Sequence, residues 1–398
     1  MRSTLPGKVG PGRAGQPARP ARPARTSVPA GQTEPAGPTA PGLPRIGRHR
    51  AGRAVAIATA VLAVTLLAGV SIGPVAIPLR EIGGTLLAHL PWHPAVTVPA
   101  IDSAIIWQIR LPRVVLGALV GSMLAGGGAS YQGVFRNPLA DPYLLGVAAG
   151  AGLGATVVII TGASPALLPV AAFTGAIGAV ALTYSLGVGA GRGQDGRSLG
   201  RGSGRTASTA SILLAGVAVA ALLTAAQTYL QQSHSQTLQS VYAWILGGLS
   251  GATWSQVGLI LPYVLVSAVA LLAHRRLLDV LRVGESEAGS LGINVAWLRL
   301  TVVVAATIGT AAAVSVSGLI GFVGIIVPHA VRLTAGPSYR VVLPVSMIGG
   351  AAFLVLADIA ARTIQPDTEV PIGVITAAIG APFFLFVLRS RRARQDVS

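Results

Sequence analysis

The 398-residue sequence has no cysteine and a single lysine, Lys8. The first absence excludes disulfides, thiolate metal sites and cysteine nucleophiles. The second excludes a phosphate-cradling P-loop, whose pattern ends in Gly-Lys-Ser/Thr, because Lys8 is followed by Val9. The chain therefore carries no ATPase site of that kind. Charge is also scarce, at 10% of residues, where soluble domains spend about a quarter. A chain that is 52% hydrophobic, with mean hydropathy +0.69, cannot cover a water-facing surface, so lipid is its main solvent. The 51 glycines and 27 prolines follow no Gly-X-Y period, which excludes a fibrous reading.

The net charge of +17 would point to nucleic acid in a soluble protein. Here the charge lies in the first ~50 residues, in short loops between apolar runs and at the C-terminus, a pattern that reads as membrane topology; no nucleic-acid partner is expected. Residues 1–53 are rich in Pro, Ala, Gly and Arg, as in the run from Pro17 to Arg25, and bury almost nothing apolar. They read as a disordered, basic cytoplasmic tail. Their basic region is far too long for a signal peptide.

A spanning helix needs about 20 mainly apolar residues. Candidate spans are 54–77, 113–133, 143–162, 165–190, 210–230, 256–274, 299–324, 341–364 and 370–388. A shorter run, 325–335, is interrupted by Pro328 and reads as a half-span or re-entrant helix, which is tolerated where it is buried in protein. The expected fold is an all-α polytopic membrane protein of about ten transmembrane helices, with the permease domain over 54–390 and a cytoplasmic tail over 391–398.

Arginine placement sets the orientation. The N-terminal tail, the 191–205 loop, the 275–299 segment and the C-terminal Arg389, Arg391, Arg392 and Arg394 are expected inside. The 231–255 loop has no Lys or Arg and is expected outside. Both termini are then cytoplasmic. Arg110, Arg113 and Arg362 break the pattern on the outer side. Among the spans the clear acid is Asp358, four residues before Arg362, a spacing that allows local pairing. One acid is a poor basis for the proton or sodium relay of an ion-coupled carrier. His329 stands alone, whereas a metal site needs several convergent ligands, so no metal and no cofactor are expected. No cluster of acids, histidines and nucleophiles marks an enzyme. Glycines at four-residue spacing, as in Gly117/Gly121 and Gly146/Gly150/Gly154, allow close helix packing in lipid.

Five stretches carry a family resemblance. The first runs Ile109-Arg110-Leu111-Pro112-Arg113, then Gly117, Gly121 and Gly126, then from Tyr131-Gln132-Gly133 through Arg136-Asn137-Pro138-Leu139-Ala140-Asp141-Pro142 to Leu145-Gly146. The second is Leu214 to Ala218 and the third Trp244 to Gly248. The fourth contains Gly284-Glu285 and Leu291-Gly292. The fifth passes from Ser317 to Gly324 through Pro328-His329, Arg332, Ala357-Asp358, Arg362 and Pro371-Ile372-Gly373 to Gly380-Ala381-Pro382. In this order, over roughly residues 105–390, they resemble the iron-siderophore, haem and cobalamin permeases of ABC importers, the FecCD type.

That resemblance implies a type II importer permease fold and three kinds of partner. These are a second permease, identical or homologous, a pair of cytoplasmic ABC ATPases, and an extracytoplasmic binding protein that delivers the ligand. The implied function is ATP-driven import of a ferric siderophore, or of haem or cobalamin by the same machinery; an ion-coupled secondary transporter is the alternative from another class. By resemblance, Arg110, Arg113 and Arg362 would present exposed guanidinium groups to acidic residues of the binding protein. The segment 279–298, with Asp279, Gly284, Glu285, Gly289, Leu291 and Gly292, is expected to form two short helices broken by its glycines and to dock on the ATPase. Asn137, Leu139, Thr206, Ser208 and Thr209 resemble loops that narrow the inner mouth of the pathway, although Asn, Ser and Thr also cap helices routinely.

Overall fold

The computed structural model describes residues 48–73, 77–89, 98–194, 209–365 and 368–395. The tail up to residue 47, Thr206, Ser208 and residues 396–398 lie outside the described residues. The described chain is helical throughout: α1 Arg48–Ser71, α2 Leu79–Ala88, α3 Ala100–Ala104, α4 Leu111–Val134, α5 Val147–Thr161, α6 Leu168–Gln194, α7 Thr209–Ser233, α8 Leu238–Ile245, α9 Trp254–Leu281, α10 Glu285–Ser290, α11 Val295–Ser317, α12 Val323–Ala335, α13 Tyr339–Thr363 and α14 Ile372–Gln395. Among the described residues, seven helical stretches are long and apolar enough to cross a membrane, and three shorter apolar helices, α5, α12 and α14, accompany them. The protein is an all-α polytopic membrane protein.

Several boundaries differ from expectation for identifiable reasons. Helix α1 starts at Arg48, inside the expected tail. The span expected to begin at 113 begins at Ala100, because the chain passes Pro112 without breaking. A π-helical stretch, Ile105–Arg110, joins α3 to α4, with the Leu111 N–H bonded to the Ile106 carbonyl. This wider turn accommodates the donor that Pro112 lacks. Gly146, at φ +89°, separates a 3₁₀ turn at Pro142–Leu145 from α5, so the expected 143–162 span is shorter at its start. Gly318, at φ +68°, ends α11 at Ser317 rather than at residue 324.

The expected half-span is α12, whose 13 residues rise about 20 Å, against a hydrocarbon core of about 30 Å. Helices α2 and α8 had no counterpart among the expected spans, while α10 falls in the 279–298 segment where short helices were expected.

Helices α4, α11 and α13 form the centre. Their buried faces are dominated by Ala, Gly and Val, because with no hydrophobic drive in lipid, association depends on close backbone approach. At Gly121 a Cβ would strike the carbonyl of Gly350 on α13, and at Gly128 one would strike Gly324 on α12. Around this centre, α5 packs on α6 and α7, α9 on α11, and α1 on α13. Helices α1, α7 and α9 turn large apolar side chains outward, including Val64, Leu214, Val217, Tyr229, Val266 and Val269.

Candidate functional site

The site-bearing residues gather at the two ends of the bundle. At one end stand the starts of α4 and the ends of α1 and α13. The side chain of Arg113 is 8% exposed and pairs with two acids, Asp358 at 2.8 Å and Glu369 at 2.7 Å. Its Nε donates to Asp358 Oδ1 at 2.9 Å, while Nη1 and Nη2 donate to the two Glu369 oxygens at 2.7 and 3.0 Å. Asp358 also faces Arg362 at 3.6 Å, the expected pairing one turn apart, but Arg113 is the nearer partner.

Arg362 donates to the Gly69 carbonyl, and Arg110 donates to the carbonyls of Val70 and Ser71 at 2.7 and 2.9 Å. Both guanidiniums therefore satisfy the last carbonyls of α1 and complement its negative end. The three arginines are 4–7% exposed. The expectation of exposed guanidinium groups is corrected: the end of α1, Asp358 of α13 and Glu369 engage them, and they are buried. Glu369, which sequence reasoning passed over, is the accessible member of the group. Its only sequence signal was its place as an acid in a short loop.

At the opposite end, residues 131–143 fasten the half-helix α12 to α4. Gln132 Nε2 donates to the Gly324 carbonyl at 2.9 Å, and its Oε1 accepts from Arg332. The Tyr143 hydroxyl bonds both the carbonyl and the amide of Ile320, at 3.1 and 3.2 Å. Asp141 Oδ1 accepts the Tyr143 N–H at 2.8 Å; burial raises its carboxyl to about 6, against that bond. Asn137 makes a local turn by accepting the Leu139 N–H at 2.9 Å. Asn137 and Leu139 line a cavity of about 120 Å³ with His329 of α12 and Phe383 and Phe384 of α14. Thr209 opens α7 and is not among the residues lining that cavity.

The 279–298 segment holds one short helix, α10, rather than two. Gly284 and Gly292 bound it, Gly292 at φ +79°, but Gly289 lies inside it. Its residues divide into holders and presenters. Asp279 accepts the Ser338 hydroxyl at 2.7 Å and the Tyr339 N–H at 2.6 Å, tying α9 to the start of α13. Glu285 pairs with the buried Arg299 at 2.6 Å. Leu291 is 71% exposed, and Glu287, Gly289, Ser290 and Gly292 are open beside it.

Among the described residues, seven helical stretches of spanning length and three shorter apolar helices, one of them the half-helix α12 pinned by polar side chains, define a polytopic membrane protein. Residues 61–390 match the FecCD transport family, and the chain belongs to it. The match reaches further toward the N-terminus than the motifs from residue 105 indicated. The chain is 41% identical, over 87% of its length and 99% of the relative's, to the cobalamin import system permease protein BtuC of Halobacterium salinarum. It is 36% identical to the hemin transport system permease protein HmuU of Yersinia pestis, over 84% and 95% of the two chains. It is also similar to a solved metal-chelate type ABC transporter in an inward-facing conformation, with TM-score 0.71 and 28% identity over 85% of this chain and 99% of that one. The chain is thus a permease subunit of the ABC-importer type.

Proposed function

We propose that this permease carries a bulky metal chelate across the cytoplasmic membrane, with energy from a separate ATPase pair. The observation that carries this reading is the family match over 61–390. The finer reading is a ferric siderophore. A second reading, cobalamin, has a specific observation in its favour: the relative that matches at 41% over 99% of its length is named for cobalamin, whereas the 36% relative is named for hemin. A second permease completes the pathway, and an extracytoplasmic binding protein delivers the chelate.

In this reading the arginine-cluster end faces outward and α10 faces the cytoplasm. Leu291, Gly292 and the exposed face of α10 dock on the ATPase, while Asp279 and Glu285 hold that face in place. The binding protein docks over the Arg110, Arg113 and Arg362 group. Buried as they are, these arginines shape the platform, and Glu369 marks its accessible rim. Asn137 and Leu139, with Thr206, Ser208 and Thr209 nearby in sequence to the next span, narrow the inner mouth.

The test is uptake into proteoliposomes containing this chain with its ATPase and binding protein, using labelled ferric siderophore, haemin and cyanocobalamin in turn. ATP-dependent accumulation of one of them, insensitive to ionophores, is expected. Accumulation that ignores ATP but needs an ion gradient would replace the importer reading with a secondary transporter.

A further inference from the structure

Beside α10 lies a second cavity, of about 290 Å³, lined by Gln132, Gly133, Arg136, Arg282, Arg332 and Tyr339. We propose that it is an anion site that takes a phosphate group. Four elements supply its walls: the end of α4 and the turn after it, the residue following α9, the last turn of α12 and the first residue of α13. Arginine at a helix C-terminus is ordinary dipole compensation, and each of these three would be unremarkable alone. Their convergence on one void is not explained that way, because compensation requires only that each lie near its own helix end.

Two further observations favour a ligand. Arg136 sits at φ +50°, one of two non-glycine residues among those described with positive φ, a backbone state that costs about 1 kcal/mol or more and persists where surrounding structure enforces it. That strain holds an exposed guanidinium at the cavity mouth. Gly133 contributes no side chain, and a Cβ there would meet the Tyr339 ring at 3.0 Å, so the ring can stand close against α4 as one wall.

The acids nearby leave the balance positive. Asp279 is held by Ser338 and the Tyr339 N–H, and reaches Arg282 only at 3.8 Å. Glu287 lies exposed on α10, its carboxyl lowered first by the Ser286 hydroxyl and in smaller part by Arg136. A carboxylate offers two oxygens, which one guanidinium fills bidentately. Arg332 also donates to Gln132 Oε1, and the three guanidiniums, reaching the void from separate directions, suit a tetrahedral anion with more oxygens. The same phosphate chemistry is presented by free phosphate and by an anionic lipid headgroup, and basic pockets between membrane helices are known to take headgroups.

The experiment uses the full chain purified in a non-ionic detergent. Inorganic phosphate is titrated by calorimetry, and phosphatidylglycerol and phosphatidylcholine are compared by native mass spectrometry. Saturable binding of one phosphate group is expected, weakened about tenfold or more in the Arg136→Gln/Arg282→Gln variant, in line with loss of hydrogen bonds to a charged group. Binding of inorganic phosphate with no preference for phosphatidylglycerol assigns a soluble source. Selective retention of phosphatidylglycerol without a phosphate isotherm assigns a headgroup. If the double variant does not fold, Arg136→Gln alone, at an exposed side chain, gives the same reading. Absence of saturable binding by either probe, or undiminished binding in the variants, overturns the proposal and leaves the cavity to a protein carboxylate. None of these outcomes bears on whether the chain imports a chelate.

Discussion

Arg113 is gripped by two carboxylates of very different exposure: the Asp358 side chain is 2% exposed and that of Glu369 is 45% exposed. The two halves of the pair therefore contribute unequally. Removing Arg113 leaves Asp358 buried with only Arg362, at 3.6 Å, to answer it, and uncompensated buried charges cost about 3–5 kcal/mol. Removing the Glu369 charge breaks an interaction that water already screens, worth about 1 kcal/mol or less. Thermal melts of the purified protein should show Arg113→Ala strongly destabilised and Glu369→Gln close to wild type. Equal losses would mean that the solvent-facing carboxylate, not the buried one, anchors the cluster. In the proposed orientation these three arginines stand on the outer side, and the contacts give each a structural role there: two of them finish α1 and the third neutralises an acid within the bundle.

At the scale of elements, α10 is positioned by its ends rather than by its own length, for six residues are too few to hold a helix in isolation. Glu285 ties its start to Arg299 of α11, Asp279 fixes the preceding end of α9 against α13, and Gly292 turns the chain back into α11 at φ +79°. A β-branched residue cannot adopt that conformation without strain, whereas Gly289 has open space around it. Gly292→Val should therefore reduce co-purification of the ATPase severalfold while membrane insertion is kept, and Gly289→Val should reduce it less. Equal, undiminished recovery of the ATPase in both variants would remove α10 from the docking surface. The spacing of apolar runs in the sequence marks all ten apolar helices found among the described residues, because a membrane helix needs a sustained apolar run. It did not mark where Pro112 is absorbed by a π turn or where Gly318 stops α11, since both depend on local hydrogen bonding. The arginines at 110, 113 and 362 stood out as charges out of place. Their partners did not: Arg113 meets residues 245 and 256 positions away, pairings that only the packed bundle creates.

For the whole molecule the decisive question is which end faces the cytoplasm, because every proposed partner is assigned by side. Arginine counts put α10 inside and the Arg113 cluster outside, and the bundle sets them apart: α4 and α13 each run from one group to the other, with Tyr339 beside Asp279 at one end and Asp358 beside Arg113 at the opposite end. The absence of cysteine makes the orientation directly measurable. In otherwise cysteine-free protein, Thr368→Cys, in the exposed connection before α14, should react with a membrane-impermeant maleimide applied to intact cells. Leu291→Cys, also exposed and on the far end, should react only after the membrane is permeabilised. The reverse pattern would place α10 outside, where no ATPase can reach it, and would sink the importer assignment even with the fold intact. Labelling of both residues in intact cells would mean that the chain inserts in two orientations and that charge placement does not fix its topology.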